Sequence, residues 1–231
     1  MSFGFLLLGA LETLRVSIPS YTEGILHTTR RERTNARIFA WSRRLVEEAG
    51  IEIETEGLEH AAGDEPFVVM SNHQSLYDIP VVFQAVPRPM RMIAKKELFS
   101  IPVFGRAMLA AEIIALDRQN RRRAIAAMEQ AKAMVKSGLS IWIAPEGTRS
   151  RTGELGAFKR GGFHLALGTG ARILPVTVSG TRDVLPPGSL RLRRGVRVRV
   201  RLSAPVTPAD YGKSRLDELV REVRARIAAQ L

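Results

Sequence analysis

His73 and Asp78 stand five residues apart in the run Ser71-Asn72-His73-Gln74-Ser75-Leu76-Tyr77-Asp78. An imidazole and a carboxylate at that spacing can meet across a turn. The carboxylate would hold one ring nitrogen and leave the other as a general base. That is the base-and-orienter half of a nucleophilic triad. A histidine that satisfies local backbone groups is the plainer alternative, and geometry decides between them. A second polar run, Pro145-Glu146-Gly147-Thr148-Arg149-Ser150-Arg151, offers complementary chemistry. Gly147 permits a tight turn, Thr148 offers a hydroxyl, and Arg149 can grip a phosphate with two nitrogens. Standing alone, this run would also suit an ordinary polar turn.

Each run follows a short, continuous apolar stretch, FVVM before the first and IWIA before the second. Such stretches suit strands of a sheet covered on both faces. Polar clusters just past the ends of such strands lie where α/β sheets usually place ligands. The spacing predicts strands over Ile51–Thr55, Phe67–Ser71, Arg91–Ala94, Glu112–Leu116, Ser140–Ala144, Ile173–Val178 and Val196–Leu202. Helical patterns lie between many of them, and Pro80 marks a helix that starts near Ile79. Asn120–Ser137 is the clearest helix, closed by Gly138. At the end of the chain, Leu216, Leu219, Val220, Val223 and Ile227 make an apolar stripe. Ser214 with Asp217 there resembles a capping box. Residues 51–231 thus read as one α/β domain. Residues 1–50 read as a helical segment: a first helix broken by Pro19, Ser20 and Gly24, then a second through Ile38, Trp41, Leu45 and Ala49 that stops at Gly50. In Val196–Leu202 alternation sets valines on one face and Arg197, Arg199 and Arg201 on the other. That suits a charged edge strand, or alternatively a contact with an anionic surface.

The two polar runs together resemble the glycerolipid acyltransferase family typified by 1-acylglycerol-3-phosphate acyltransferase. His73 and Asp78 match its HxxxxD motif, and Glu146–Ser150 reads EGTRS. Lys95–Gly105 (KKELFSIPVFG), leading to IIALDR at Arg118, is similar to the second block of the family. Phe158–Gly162 (FKRGG) follows at a familiar interval. Ile173–Gly180 (ILPVTVSG) resembles the proline-containing block. The resemblance covers roughly residues 66–206. It implies a single acyltransferase domain, with a largely buried mixed sheet flanked by helices. It also implies transfer of an acyl chain from a thioester, acyl-CoA or acyl-carrier protein, to the free hydroxyl of lysophosphatidate. His73 and Asp78 would be catalytic. Lys95, Arg118 and Arg149 would meet the acceptor phosphate, with Gly147 and Thr148 in the same loop. Glu146 would position the acceptor or hold the cations. No metal and no permanently bound cofactor is implied.

Composition narrows the alternatives. The chain has 231 residues, 35 Lys plus Arg against 23 Asp plus Glu, and no cysteine. Disulfides, zinc-thiolate sites and a cysteine nucleophile are excluded. The net charge of +12 favours an anionic partner: a membrane surface, a phosphorylated substrate or nucleic acid. Aromatic residues are only 6%, and no nucleic-acid-binding motif is present, so nucleic acid is not expected. Arg121, Arg122 and Arg123 open a helix, where cations oppose the macrodipole; a nearby phosphate or a solvated face would each account for them. The first apolar cluster, Phe3–Leu11, precedes Glu12 and Arg15. A helix of about twelve residues is roughly 18 Å long, short of a bilayer core of about 30 Å. It also lacks the basic n-region and clear cleavage site of a signal peptide. The expectation is a segment that dips into one leaflet of an anionic membrane, peripheral or monotopic, on the cytoplasmic face of the cell membrane. Packing on the domain or on a second copy is the alternative.

Overall fold

The computed structural model describes the backbone of residues 2–231 and the surroundings of Gly9 and of the side chains of residues 11–231. The side chains of Phe3, Phe5 and Leu6 to Leu8 therefore lie outside the described residues. Two helices lead the chain, α1 (Ser2–Ile25) and α2 (Arg31–Glu48). They form an antiparallel hairpin. Along it Arg44 binds Glu12 at 2.9 Å, the indole N–H of Trp41 donates to Thr13 at 3.1 Å, and Arg37 clamps Glu23. Contrary to the sequence expectation, α1 continues through Pro19. Packing against α2 and α4 overrides the local penalty of the proline. At this place Gly24 lies so close to Ala110 that a Cβ there would sit 3.0 Å from its methyl.

The strands are β1 (Glu52–Glu56), β2 (Val68–Ser71), β3 (Met90–Lys95), β4 (Ile114–Leu116), β5 (Ser140–Ile143), β6 (Ile173–Ser179) and β7 (Arg197–Leu202). The remaining helices are α3 (Asp78–Ala85), α4 (Phe104–Ala110), α5 (Arg121–Lys136), α6 (Gly161–Thr169), α7 (Thr181–Val184) and α8 (Leu216–Ala228). One seven-stranded sheet has the order β1-β7-β6-β2-β5-β3-β4. All pairs are parallel except β6 with β7, so the sheet is mixed. All seven strands read from the sequence are present, with ends that differ by at most two residues.

Alternation along the central strands feeds two cores. Val69, Trp142, Leu174, Val176 and Val178 face α2 and α3. Val68, Met70, Ile141 and Ile173 face α5, α6 and α8. On α8 the fully buried Leu219, Val223 and Ile227 each contribute roughly 1.5–3 kcal/mol of burial. The end of the leading hairpin joins this plan: Leu45 and Val46 of α2 and Ala49 just after it are part of the first core.

Two local expectations are corrected. β7 is not an edge strand; β1 covers it. Glu52, Glu54 and Glu56 stand in register opposite Arg197, Arg199 and Arg201, so each arginine meets an acid on its neighbour. The alternation was legible in the sequence, but the partner lay some 145 residues away. Nor does Ser214 cap α8. The helix starts after Arg215 with no side-chain cap, and Asp217 pairs instead with Arg160 at 2.7 Å.

Candidate active site

Five strands, β6, β2, β5, β3 and β4, run parallel and end at one edge of the sheet. After β2 the chain turns to α3 on one face. After β5 it turns to α6 on the other. Adjacent strands whose connections leave to opposite faces open a crevice between them, the usual ligand position in such sheets. Both polar runs sit there.

The first loop is pinned at its start by Asn72, whose amide donates to the carbonyl of Val178 and accepts its N–H, both at 2.8 Å. This extends the ladder to β6 by a side chain. The loop then curls so that Asp78, the first residue of α3, faces back on it. His73 Nδ1 lies 2.7 Å from Asp78 Oδ2. The same oxygen accepts the N–H groups of Gln74 at 2.6 Å and Ser75 at 2.8 Å. The other oxygen, Oδ1, accepts the hydroxyl of Thr181. Asp78 is fully buried, and a buried carboxylate is stable as an anion only with such donors. An anion accepts, so Nδ1 donates to it, and in the neutral ring Nε2 is then the acceptor. The imidazole packs edge-on against Trp142, with centroids 5.9 Å apart, which fixes the ring plane.

Neither of the two neighbouring hydroxyls is a base. The buried Ser75 hydroxyl donates to the carbonyl of Leu185 and accepts the N–H of Tyr77. Burial, helped by the charge of Glu48, pushes the Tyr77 phenol up to about 12, so it stays protonated at neutral pH.

The second loop is tied to the first. Glu146 Oε1 accepts the N–H of His73 at 2.8 Å, and Oε2 accepts the N–H of Gly156 at 2.8 Å. Ser150 N–H donates back to the carbonyl of His73 at 2.7 Å. Both oxygens of Glu146 thus serve backbone donors. Among the described residues it pairs with no cation. Gly147 has φ of +73°, a left-handed turn that favours glycine. A Cβ at Gly147 would lie 2.9 Å from the ammonium of Lys159, so that lysine lies over the turn. Thr148 is exposed and Arg149 half-buried.

The other expected residues share the edge without touching this pair. Lys95 ends β3, exposed, 3.9 Å from Glu97. Lys96, not Lys95, meets the buried Asp117, at 2.9 Å. Arg118 follows β4, exposed. Among the described residues neither Arg118 nor Arg149 makes a hydrogen bond or ion pair, so both guanidinium groups are free for a ligand. From β2 to β4 is three strand spacings, about 14 Å.

Sequence reading missed three residues here. Thr181 follows Gly180, whose φ of +98° and contact with the Arg197 carbonyl leave no room for a side chain. Nothing local ties Thr181 to Asp78, 103 residues earlier. Lys159 could have been found in the FKRGG run. Arg182, which donates to the carbonyls of Arg151 and Thr152, braces the second loop.

With this geometry in hand, comparison with known proteins is informative. The family model "Acyltransferase" matches residues 52–179. The chain is 36% identical over 180 residues to the chloroplastic 1-acyl-sn-glycerol-3-phosphate acyltransferase LPAT1 of Arabidopsis thaliana, covering 78% of this chain and 49% of that protein. It is also 36% identical over 159 residues to 1-acyl-sn-glycerol-3-phosphate acyltransferase alpha of Mus musculus, covering 68% of this chain and 56% of that one. The chain spans about half the length of these curated relatives. The crystal structure of the 1-acyl-sn-glycerophosphate acyltransferase PlsC of Thermotoga maritima superposes with a TM-score of 0.79 at 28% identity, covering 97% of this chain and 92% of that one.

Proposed function

The chain belongs to the acyltransferase family, and on that premise we propose that it acylates the free hydroxyl of lysophosphatidate, forming phosphatidate. The observation that carries the mechanism is the His73–Asp78 contact at 2.7 Å, made through Nδ1. Nε2 takes the proton of the acceptor hydroxyl as its oxygen attacks the thioester carbonyl. Asp78 stabilises the imidazolium that forms. As the carbon–sulfur bond breaks, the imidazolium returns the proton to the departing thiolate. One ester and one thiol result, and no acyl-enzyme is needed. Arg149, with Lys159 and Arg118 on the same edge, supplies charge for the acceptor phosphate. The donor is a soluble acyl thioester, acyl-CoA or acyl-carrier protein.

An apolar cavity of about 90 Å³ supports a lipid substrate. Ile79, the residue after Asp78, lines it together with Phe83, Met92, Phe104, Met108 and Trp41. Location follows from the same reading: the protein sits peripherally on the cytoplasmic face of an anionic membrane, held partly by the Phe3–Leu11 cluster. Among the described residues no helix is long and apolar enough to cross a bilayer. The test is turnover of acyl-CoA and acyl-carrier protein with a panel of lysolipids. Product with the phosphate monoester acceptor, lost in His73→Ala, supports the proposal. Equal use of acceptors without a phosphate would overturn the acceptor assignment.

A further inference from the structure

Between β3 and α4 the chain runs Lys95-Lys96-Glu97-Leu98-Phe99-Ser100-Ile101-Pro102-Val103, through a 3-10 turn over Lys96–Ser100. It leaves the sheet at the same edge as the His73 loop. Leu98 is 38% exposed and Ile101 45%, although a short loop could have turned both inward. The loop is instead braced to hold them out. Val103 has φ of +64° and ψ of −57°, and the N–H of Phe104 donates to the carbonyl of Pro102 at 2.7 Å. That is the strained, mirror-image kind of γ-turn, and a β-branched residue rarely adopts it. Gly105 completes the brace: a Cβ there would lie 2.0 Å from the carbonyl oxygen of Phe99. Backbone strain of this kind gathers where a segment must be presented in one shape.

The surroundings are basic. Lys95, Lys96, Arg118, Arg121, Arg122 and Arg123 stand at this corner against Glu97 and Asp117. Asp117 is already engaged by Lys96 and Arg123. Three arginines in the first turn of α5 oppose the helix dipole, a cost that an adjacent anionic surface offsets. A third exposed apolar residue, Leu76, 50% exposed, lies in the His73 loop on the same edge. The start of α1 also points this way, because α1 is antiparallel to α2, and α2 feeds β1 beside the start of β7, which pairs with the end of β6. Leu76 and the Leu98–Ile101 loop thus present exposed apolar groups at separate places on one edge, with the cations at the corner of the second.

We propose that the Leu98–Pro102 loop is a second membrane contact, which seats Leu98 and Ile101 in the interface of an anionic leaflet beside the site. The inference rests on the reading of the acceptor as a lipid. Charge complementarity and the shared edge choose a lipid surface as occupant over a protein.

The chain has no cysteine, so single labels can be placed without background. The full-length protein carries an environment-sensitive fluorophore at Ile101→Cys, or at Asp64→Cys in the exposed stretch before β2 at the opposite edge. On phosphatidylglycerol-containing vesicles the label at 101 brightens at least threefold, shifts to the blue, and is quenched by brominated acyl chains. The label at 64 does none of these. Leu98→Ser with Ile101→Ser lowers the vesicle-bound fraction and turnover of vesicle-borne acceptor several-fold. Turnover of detergent-dispersed acceptor stays within twofold of the parent. A label at 101 that stays water-like on vesicles carrying bound protein would overturn the proposal. So would a label already shielded in purified protein with the mass of two chains, which would assign the patch to a second copy. Failure to acylate any lysolipid in detergent would instead sink the acceptor assignment, independently of the label.

Discussion

The backbone N–H of His73 donates to the carboxylate of Glu146 at 2.8 Å, across 73 residues of sequence. The two motifs are therefore one object. His73 rests on a backbone that the second loop holds from both sides, since Ser150 N–H returns to the carbonyl of His73. Glu146→Gln keeps one oxygen and loses one acceptor. The expected result is a fall in kcat of roughly tenfold or more, equivalent to about 1.5 kcal/mol for one charge-assisted bond. KM for the acceptor should change little. A variant with a raised KM and intact kcat would return Glu146 to direct acceptor binding.

His73→Ala should remove nearly all turnover while circular dichroism and thermal midpoint stay near those of the parent. Asp78→Asn should cost nearly as much; the corresponding change in a serine protease costs about 10⁴-fold. Here the buried amide would also face the N–H groups of Gln74 and Ser75, so some stability should go with it. Near-normal turnover in His73→Ala would end the general-base account.

Thr181→Val tests the far side of the same carboxylate. Valine keeps the shape and removes the only donor to Oδ1 among the described residues. We expect kcat to drop about tenfold at unchanged KM, with Thr181→Ser restoring most of it. Steady-state kinetics across the acidic limb of the pH profile is the measurement. If Ser and Val behave alike, the hydroxyl does not position Asp78.

Arg149→Ala should weaken acceptors that carry a phosphate monoester by about 1.5–3 kcal/mol, roughly ten- to a hundredfold in kcat/KM. Acceptors without that group should lose little. Lys159→Ala should show the same selectivity more weakly, because a lysine offers a point charge rather than a planar fork.

A last prediction concerns stability. Glu112 bridges Arg31 of α2 and the fully buried Arg91 of β3. Burial alone would raise its carboxyl, but the hydrogen bonds and charges of Arg31 and Arg91 outweigh that, and the group lies below its ordinary value. A depressed carboxyl contributes stability that is full above the unfolded value, near pH 4.3, and is lost as pH falls through the lower folded value. Removing the acid altogether leaves Arg91 buried without its counter-charge, so Glu112→Ala should cost about 3 kcal/mol in urea titrations at pH 7. The acid limb of the stability curve should flatten in the same variant. A variant as stable as the parent would show that Asn35 and the Met90 carbonyl suffice to hold Arg91.

What could be read from the sequence follows from the range of the forces involved. Buried strands announce themselves within five to seven residues, and the helices α5 and α8 through their apolar repeat. The meeting of His73 with Asp78 was legible because one turn closes it. Thr181 and the donors held by Glu146 were not, because tertiary contacts create them and no local pattern records the partner. Pro19 misled for the related reason that packing can outvote propensity. Ser214 misled because a cap sequence is only an offer, which the chain here declined.

The acid–base ladder between β1 and β7 also has a consequence for the order in which the molecule assembles. β1 is made early, yet its neighbour in the sheet emerges some 145 residues later. At roughly 5–20 residues per second of synthesis, the strand waits about 7–30 s for its partner. Throughout that delay Glu52, Glu54 and Glu56 sit on an unpaired edge whose like charges discourage wrong neighbours. Their arginine counterparts then select the register, since a slip of one residue would set each acid against an apolar residue. Docking of β1 onto the sheet thus waits for the last strand, while the leading hairpin already has α3 and α4 to pack on.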